Sequence, residues 1–498
     1  MARLTCPYSA PARSKDPALN SQTLRQFLGL LLLMFSVSLV PACAIATLGQ
    51  ENGTLAWLIL AGVTATSGLM LWSPGRHTPM QLRTRDGFLI VAGFWILLSL
   101  LDALPLYILL PIHFVDALFE SISGFTTTGA TVLAGLDGLP NALLYYRQQL
   151  QWIGGIGMIV SAVAVLPLIG VGGMQLLRAE TSGPMKDDKL APRISKTARY
   201  LWSIYGGLTL LCALAYLLAG MTPFDAVCHA MSTLSTGGFS THDANLAYFH
   251  SNSVDLIACF FMMLGSVPFT LHYLSLHNRS FRPYRQHAET RIFFGIVLLA
   301  VGLAWALIRS SGFLQGLEAW RAAAFAVISA ITSTGFMDED FTHWPSVLPV
   351  LLIYLSCIGG CAGSTAGGIK IVRCIVLARQ GALEVLRPVH PNLVRTLKHD
   401  GRALQPRVSD AVWAFFSVYV LFFGLLMAIS VMSGLDYISA FGAVATTLNN
   451  LGPGLGATSA SFAFISDPMK LVFAFSMLLG RLEFFTLLVL FHPAFWRR

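Results

Sequence analysis

Gly129, Gly238, Gly335 and Gly452 recur about every hundred residues, and each closes a polar turn set in apolar sequence. The first turn, SISGFTTTGATVL over Ser121–Leu133, places Thr126, Thr127 and Thr128 ahead of its glycine. Aligned on the four glycines, alanine stands twelve positions earlier, at Ala117, Ala226, Ala323 and Ala440. A hydroxyl stands six earlier, at Ser123, Ser232, Ser329 and Thr446. Small polar residues stand three and two earlier: Thr126 and Thr127, Ser235 and Thr236, Thr332 and Ser333, Asn449 and Asn450. Four such turns around one axis would offer backbone carbonyls and uncharged hydroxyls, which replace the hydration shell of a monovalent cation. A divalent cation would call for carboxylates, and none lies within three residues before any of the glycines. Small residues also serve close helix packing; four aligned turns favour a pore over packing alone.

Two further clusters suggest control of such a path. CIGGCAGSTAGGIKIVR crowds Gly359, Gly360, Gly363, Gly367 and Gly368, with Ser364 and Thr365 between them, into a run that should be helical. Each interior glycine costs a helix about 1 kcal/mol against alanine. The segment is expected to be an unwound gate loop at membrane depth, with a GxxxG packing face as the alternative. Lys370 follows Gly368 at the wrong spacing for a phosphate loop. Arg481 stands inside an apolar run with Glu483 two residues on. An ionisable group there is functional or paired by default: a fixed positive charge below the turns, half of an ion pair, or a clamp on backbone carbonyls. His242 and Asp243 follow the second turn, where they would tune ion access or form an ordinary solvated loop.

The elements that must position these residues are membrane helices. The 498-residue chain is 55% hydrophobic and 11% charged, against roughly 25% charged for a soluble domain. Its net charge of +8 does not form one basic patch, which argues against nucleic acid. The eight cysteines show no paired framework or zinc spacing. Apolar runs predict spans at Phe27–Thr47, Leu55–Trp72, Phe88–Leu110, Trp152–Gly170, Tyr200–Leu218, Val254–Ser275, Ile292–Ile308, Val347–Arg373, Val412–Met432 and Met469–Phe491. The first two read as a retained hairpin and not a signal peptide. Lysine and arginine collect in the linkers after the fourth, sixth and eighth runs and at Arg497 and Arg498. That side is expected to be cytoplasmic, with both termini. Each turn then lies on the outer side, behind a segment too short to span. The repeating unit is span, half-helix, polar turn, span, in one orientation.

The motifs SGFTTTGATVL, LSTGGFSTHDA, ITSTGF, TTLNNLGPGLG, IGGCAGSTAGGIK and GRLEFFTLLVLF together resemble the Trk/Ktr/HKT potassium-uptake superfamily, in its TrkH/TrkG-like bacterial members. The likeness extends over nearly the whole chain. It implies an all-α integral membrane protein of the bacterial inner membrane, with an N-terminal helix pair and four parallel pore repeats around one pore. It places a potassium filter on Thr127, Thr128 and Gly129; Thr236, Gly237 and Gly238; Ser333, Thr334 and Gly335; and Asn450, Leu451 and Gly452. A serine at the first filter glycine accompanies sodium transport in plant relatives; glycine at all four positions implies potassium. The resemblance also implies a homodimer and a cytosolic nucleotide-binding regulatory ring of TrkA type. No organic cofactor is expected in this chain, and lipid is its solvent.

The domain reading is 1–85 for the tail and hairpin, then pore repeats at 86–180, 181–285, 286–385 and 386–498. The expected function is gated potassium uptake. A proton- or sodium-coupled secondary transporter is the alternative, although such transporters often use inverted repeats, whereas these are parallel. No nucleophile, base and oxyanion set suggests an enzyme.

Overall fold

The computed structural model describes residues 21–75, 84–160, 190–339, 344–345, 347–390, 398–399, 402–404 and 406–496. The cationic side chains expected at Arg178, Lys186 and Lys189, and the end of the Trp152–Gly170 span, lie outside them.

The fold is helical. Only a two-residue hairpin, Lys398–His399 against Arg402–Ala403, is extended among the described residues. Helices α1 (Ser21–Leu48) and α2 (Thr54–Trp72) form the expected hairpin. A side chain at Gly29 would strike the backbone of Gly68 and Trp72, so glycine permits the two helices to touch. Helix α3 (Thr84–Leu109) leads into the short helix α4 (Phe114–Phe125), and α5 (Asn141–Val160) follows the first turn.

The same order recurs. Helix α6 (Leu190–Leu218) precedes the short α7 (Pro223–Ser235) and then α8 (Asn252–Gly265) with α9 (Phe269–Asn278). Helix α10 (Ala288–Ser311) precedes α11 (Gly316–Ile331), α12 (Val347–Ile358) and α13 (Ile371–Leu386). Helix α14 (Pro406–Met432) precedes the short α15 (Tyr437–Asn449) and α16 (Asp467–Arg481). Local sequence starts the short helices. Thr222 caps α7 by accepting from the Asp225 N–H, with Pro223 at the first helical position. Asp436 caps α15 through the N–H groups of Ile438 and Ser439.

Six described helices are long and apolar enough to cross a bilayer. Two of the expected spans are bent. Val254–Ser275 is not one straight helix: it bends by 93° between α8 and α9. Pro268 lies in that break, and a proline denies the helix a backbone donor there. Met469–Phe491 bends by 109° after Arg481, where Glu483 and Phe484 both take positive φ, 55° and 57°. Val347–Arg373 breaks as expected between α12 and α13. The fourth span starts earlier than its apolar run, since α5 begins at Asn141 and carries Arg147, Gln148, Gln149 and Gln151 through the protein interior.

Candidate functional site

Helices α4, α7, α11 and α15 end in one geometry. The residue two before each glycine is left-handed: Thr127, Thr236, Ser333 and Asn450 have φ of 54°, 52°, 50° and 55°. The residue after it donates its N–H back to the carbonyl five positions earlier. The pairs are Thr128 to Ser123 (2.8 Å), Gly237 to Ser232, Thr334 to Ser329 and Leu451 to Thr446 (each 2.9 Å). This is the bonding of a Schellman helix end, made here without glycine at the left-handed position. That conformation costs a side-chain-bearing residue roughly 1–2 kcal/mol. The four glycines follow at φ of 84°, 79°, 80° and 98°.

The turns meet in cyclic order. A Cβ added to Gly129 would strike the carbonyl oxygen of Gly237, and one on Gly238 that of Thr334. One on Gly335 would strike that of Leu451, and one on Gly452 that of Thr128. Turn one abuts turn two, two abuts three, three abuts four, and four returns to one. The ring closes within one chain, with no room for a side chain at any of the four glycines.

Side chains brace it from behind. Thr126 and Thr128 share a hydroxyl hydrogen bond at 2.7 Å, as do Thr332 and Thr334 at 2.8 Å. The Asn450 amide donates to the Thr128 hydroxyl (2.9 Å) and the Met477 carbonyl (3.0 Å), which ties the fourth turn to the first. Arg147 donates to Glu120 at 2.6 Å with both side chains buried, and to the Ser240 carbonyl. Lys470 pairs with Asp116 at 2.5 Å between α16 and α4. On the loops that follow the first two turns, His242 contacts Asp137, and Asp243 accepts from the Gly135 N–H at 3.0 Å. These two residues therefore join the loops after the first and second turns. The His242 hydrogen bond holds the Asp137 carboxyl below the usual carboxylate range.

The glycine loop between α12 and α13 lies against three of the turns. Thr365 shares a hydroxyl hydrogen bond with Thr236 at 3.2 Å, the Gly367 N–H reaches the Ser333 hydroxyl, and the Gly368 N–H reaches the Asn449 carbonyl at 3.1 Å. It also fills the break between α8 and α9: Cys361 N–H donates to Ser266 O (3.0 Å), and Phe269 N–H to Gly363 O (3.1 Å). Glu289, buried in the first turn of α10, accepts from the N–H groups of Ala362 (2.8 Å) and Val372 (3.2 Å) on the loop's two flanks. Gly360 is buried beside Ala366, and Ser364 folds back onto the Cys361 carbonyl.

Arg481 is the last residue of α16 and is buried. It donates to the carbonyls of Thr365 (3.0 Å) on the loop and Gly154 (3.3 Å) on α5, with its guanidinium 5.5 Å from the Trp95 ring centre. It makes no ion pair with Glu483, which pairs with Arg373 instead. Of the roles the sequence left open for Arg481, the ion pair with Glu483 is not formed, and its two contacts are those of a carbonyl clamp. Arg373 also lies 4.2 Å over the Phe415 ring, and the buried Lys370 donates to the Ala366 carbonyl.

The structure thus brings together all twelve turn residues, the glycine loop and Arg481. Sequence reasoning missed Glu120, Arg147, Gln151, Glu289, Lys370 and Arg373. Polar residues in the α5 stretch and the KIVR tail of the glycine loop were the available signals.

The sequence profile of the TrkH family, described as "Cation transport protein", matches residues 59–498. The Trk system potassium uptake protein TrkH of Vibrio parahaemolyticus is 48% identical over 477 residues, 95% of this chain and 98% of that protein. TrkH of Halomonas elongata is 46% identical over 479 residues, 95% and 98% of the two chains. TrkG of Escherichia coli K12 is 40% identical over 471 residues, 94% and 97%. The crystal structure of the potassium transporter TrkH from Vibrio parahaemolyticus superposes with a TM-score of 0.89 at 44% identity, over 96% of this chain and 100% of that one.

Proposed function

Because the chain belongs to the TrkH family of cation transport proteins, we propose that it takes up potassium through a gated pore whose filter is the ring of four turns. The observation that carries this reading is the cyclic contact of each glycine with the next turn's carbonyl. Four carbonyl-bearing turns held around one axis are the means by which a protein replaces a monovalent ion's water. The curated relatives are potassium uptake proteins by name, and the filter has glycine at all four positions.

The loop Gly359–Gly368 is the gate in this reading, and Arg481 is the charge that holds it. The loop rests on turns two, three and four, and Arg481 donates to its Thr365 carbonyl. Residues 86–180, 181–285, 286–385 and 386–498 each supply one quadrant. The protein sits in the bacterial inner membrane with cytoplasmic termini, as a homodimer regulated by a cytosolic nucleotide-binding ring of TrkA type. The relatives' naming as parts of a Trk system supports a partner of that kind.

The test is Gly129→Ser. Its side chain meets the Gly237 carbonyl, so the rubidium-over-sodium uptake ratio should fall by about tenfold, the effect of about 1.4 kcal/mol. An unchanged ratio at normal membrane levels would sink the filter assignment. Flux through purified protein in liposomes, with and without an imposed proton gradient, separates passive conduction from coupled transport.

A further inference from the structure

Resting on the filter reading, we propose that Gln151 is a specificity-determining positioning residue: it supplies, from another helix, the side-chain anchor that the second filter turn lacks. The position just before the glycine is Thr128, Gly237, Thr334 and Leu451 in the four turns. Three of these have side chains that fix the peptide. Thr128 bonds Thr126 and Asn450, and Thr334 bonds Thr332. Leu451 packs with Ile353, Ala445 and Leu455. Gly237 has none, and it lies between left-handed Thr236 and positive-φ Gly238. Two consecutive glycines make this the least constrained peptide of the ring.

Gln151, on α5, is fully buried. Its amide nitrogen donates to the Gly237 carbonyl at 2.6 Å. Its oxygen accepts from the Ser232 hydroxyl at 2.7 Å and the Phe239 N–H at 3.2 Å. The backbone donor at Phe239 fixes which end of the amide is which. A Cβ on Gly237 would land on this same amide. The Gln151 head group therefore stands where the other turns keep their own side chain. It also orients the carbonyl that Gly129 abuts. An orienting group on one ring carbonyl acts on ion discrimination, because selectivity depends on the number and field of the coordinating carbonyls.

The experiment compares rubidium and sodium uptake, at matched amounts of folded protein, for Gln151→Leu, Gln151→Glu, Gly237→Thr and Gln151→Ala with Gly237→Thr. Gln151→Leu should lower the ratio about fivefold, the factor set by one lost neutral hydrogen bond. Gln151→Glu keeps the acceptor for Ser232 and Phe239 but loses the donor, and should do the same; it carries the comparison if the leucine variant does not fold. Gly237→Thr alone should reduce folded protein, because its side chain collides with Gln151. The double variant should restore both yield and ratio, with the anchor now on the turn itself. A merely structural Gln151 predicts altered yield with an unchanged ratio in whatever protein folds, and that outcome overturns the proposal. So does a double variant that folds with a lowered ratio or fails to regain yield. Gly129→Ser in the same assay separates the two claims. If it shifts the ratio and both folded Gln151 variants do not, the filter stands and the role of Gln151 falls.

Discussion

At the residue scale, Arg481 has the clearest consequences. Its guanidinium reaches two backbone carbonyls and no carboxylate, while Glu483 answers to Arg373. A fixed charge about 8 Å from a passing cation, at an effective dielectric of about 20, raises its energy by about 2 kcal/mol. Arg481→Ala should therefore increase cation flux by about thirtyfold in liposomes, with the rubidium-over-sodium ratio unchanged. Normal folding with no faster conduction at any driving force would remove Arg481 from the gate. Removing Glu483 as well should not rescue any loss of folded yield, because Glu483 is the ion-pair partner of Arg373 and its loss strands that arginine. Arg373→Ala is the variant that strands Glu483. It should destabilise the detergent-solubilised protein by about 2 kcal/mol, read as a lower thermal midpoint, and Arg373→Ala with Glu483→Ala should recover part of that loss.

At the element scale, three helix breaks among the described residues converge. The break at Ser266–Pro268 receives the glycine loop, the loop is itself the break between α12 and α13, and α16 ends at the arginine that holds it. Deleting Gly363–Gly367 removes the stretch that touches Thr236 and Ser333. Basal flux should rise in protein that still folds, because removing an uncharged stretch that fills the path lowers a steric barrier. A deletion that folds and conducts at the original rate would mean the loop does not occlude. The loops after the first two turns are coupled separately through Asp137 and His242. The Asp137 carboxyl is held below its ordinary value. Its contribution is thus complete above the unfolded value of about 3.9 and is lost as pH falls through the lower folded value. Asp137→Asn should remove that acid-side step from a pH titration of thermal stability and leave neutral-pH selectivity intact. The glycine loop was legible because glycine is costly in a helix. The α8–α9 break left only Pro268 as a signal. The break after Arg481 rests on positive φ at Glu483 and Phe484, residue types that do not announce it.

At the scale of the whole molecule, periodicity and composition exposed the helices and the fourfold repeat, since apolar runs and recurrent glycines are local features. The ring's bracing was not legible: Glu120 with Arg147, and Asp116 with Lys470, join positions far apart in sequence. In the proposed orientation the side rich in lysine and arginine, with the C-terminus, is cytoplasmic. A fluorescent protein fused after Arg498 should fold and emit, whereas alkaline phosphatase at the same point should stay inactive; the reverse pattern would invert the topology. The closure of the ring within a single polypeptide has a consequence for heredity. Where identical subunits encircle an axis, one codon rewrites every quadrant at once. Here a substitution at Gly129 leaves Gly238, Gly335 and Gly452 as they were, so each quadrant drifts under its own selection. The threonine, glycine and leucine found just before the four glycines, and the different amides that reach the first and second turns from Asn450 and Gln151, are differences that such freedom permits.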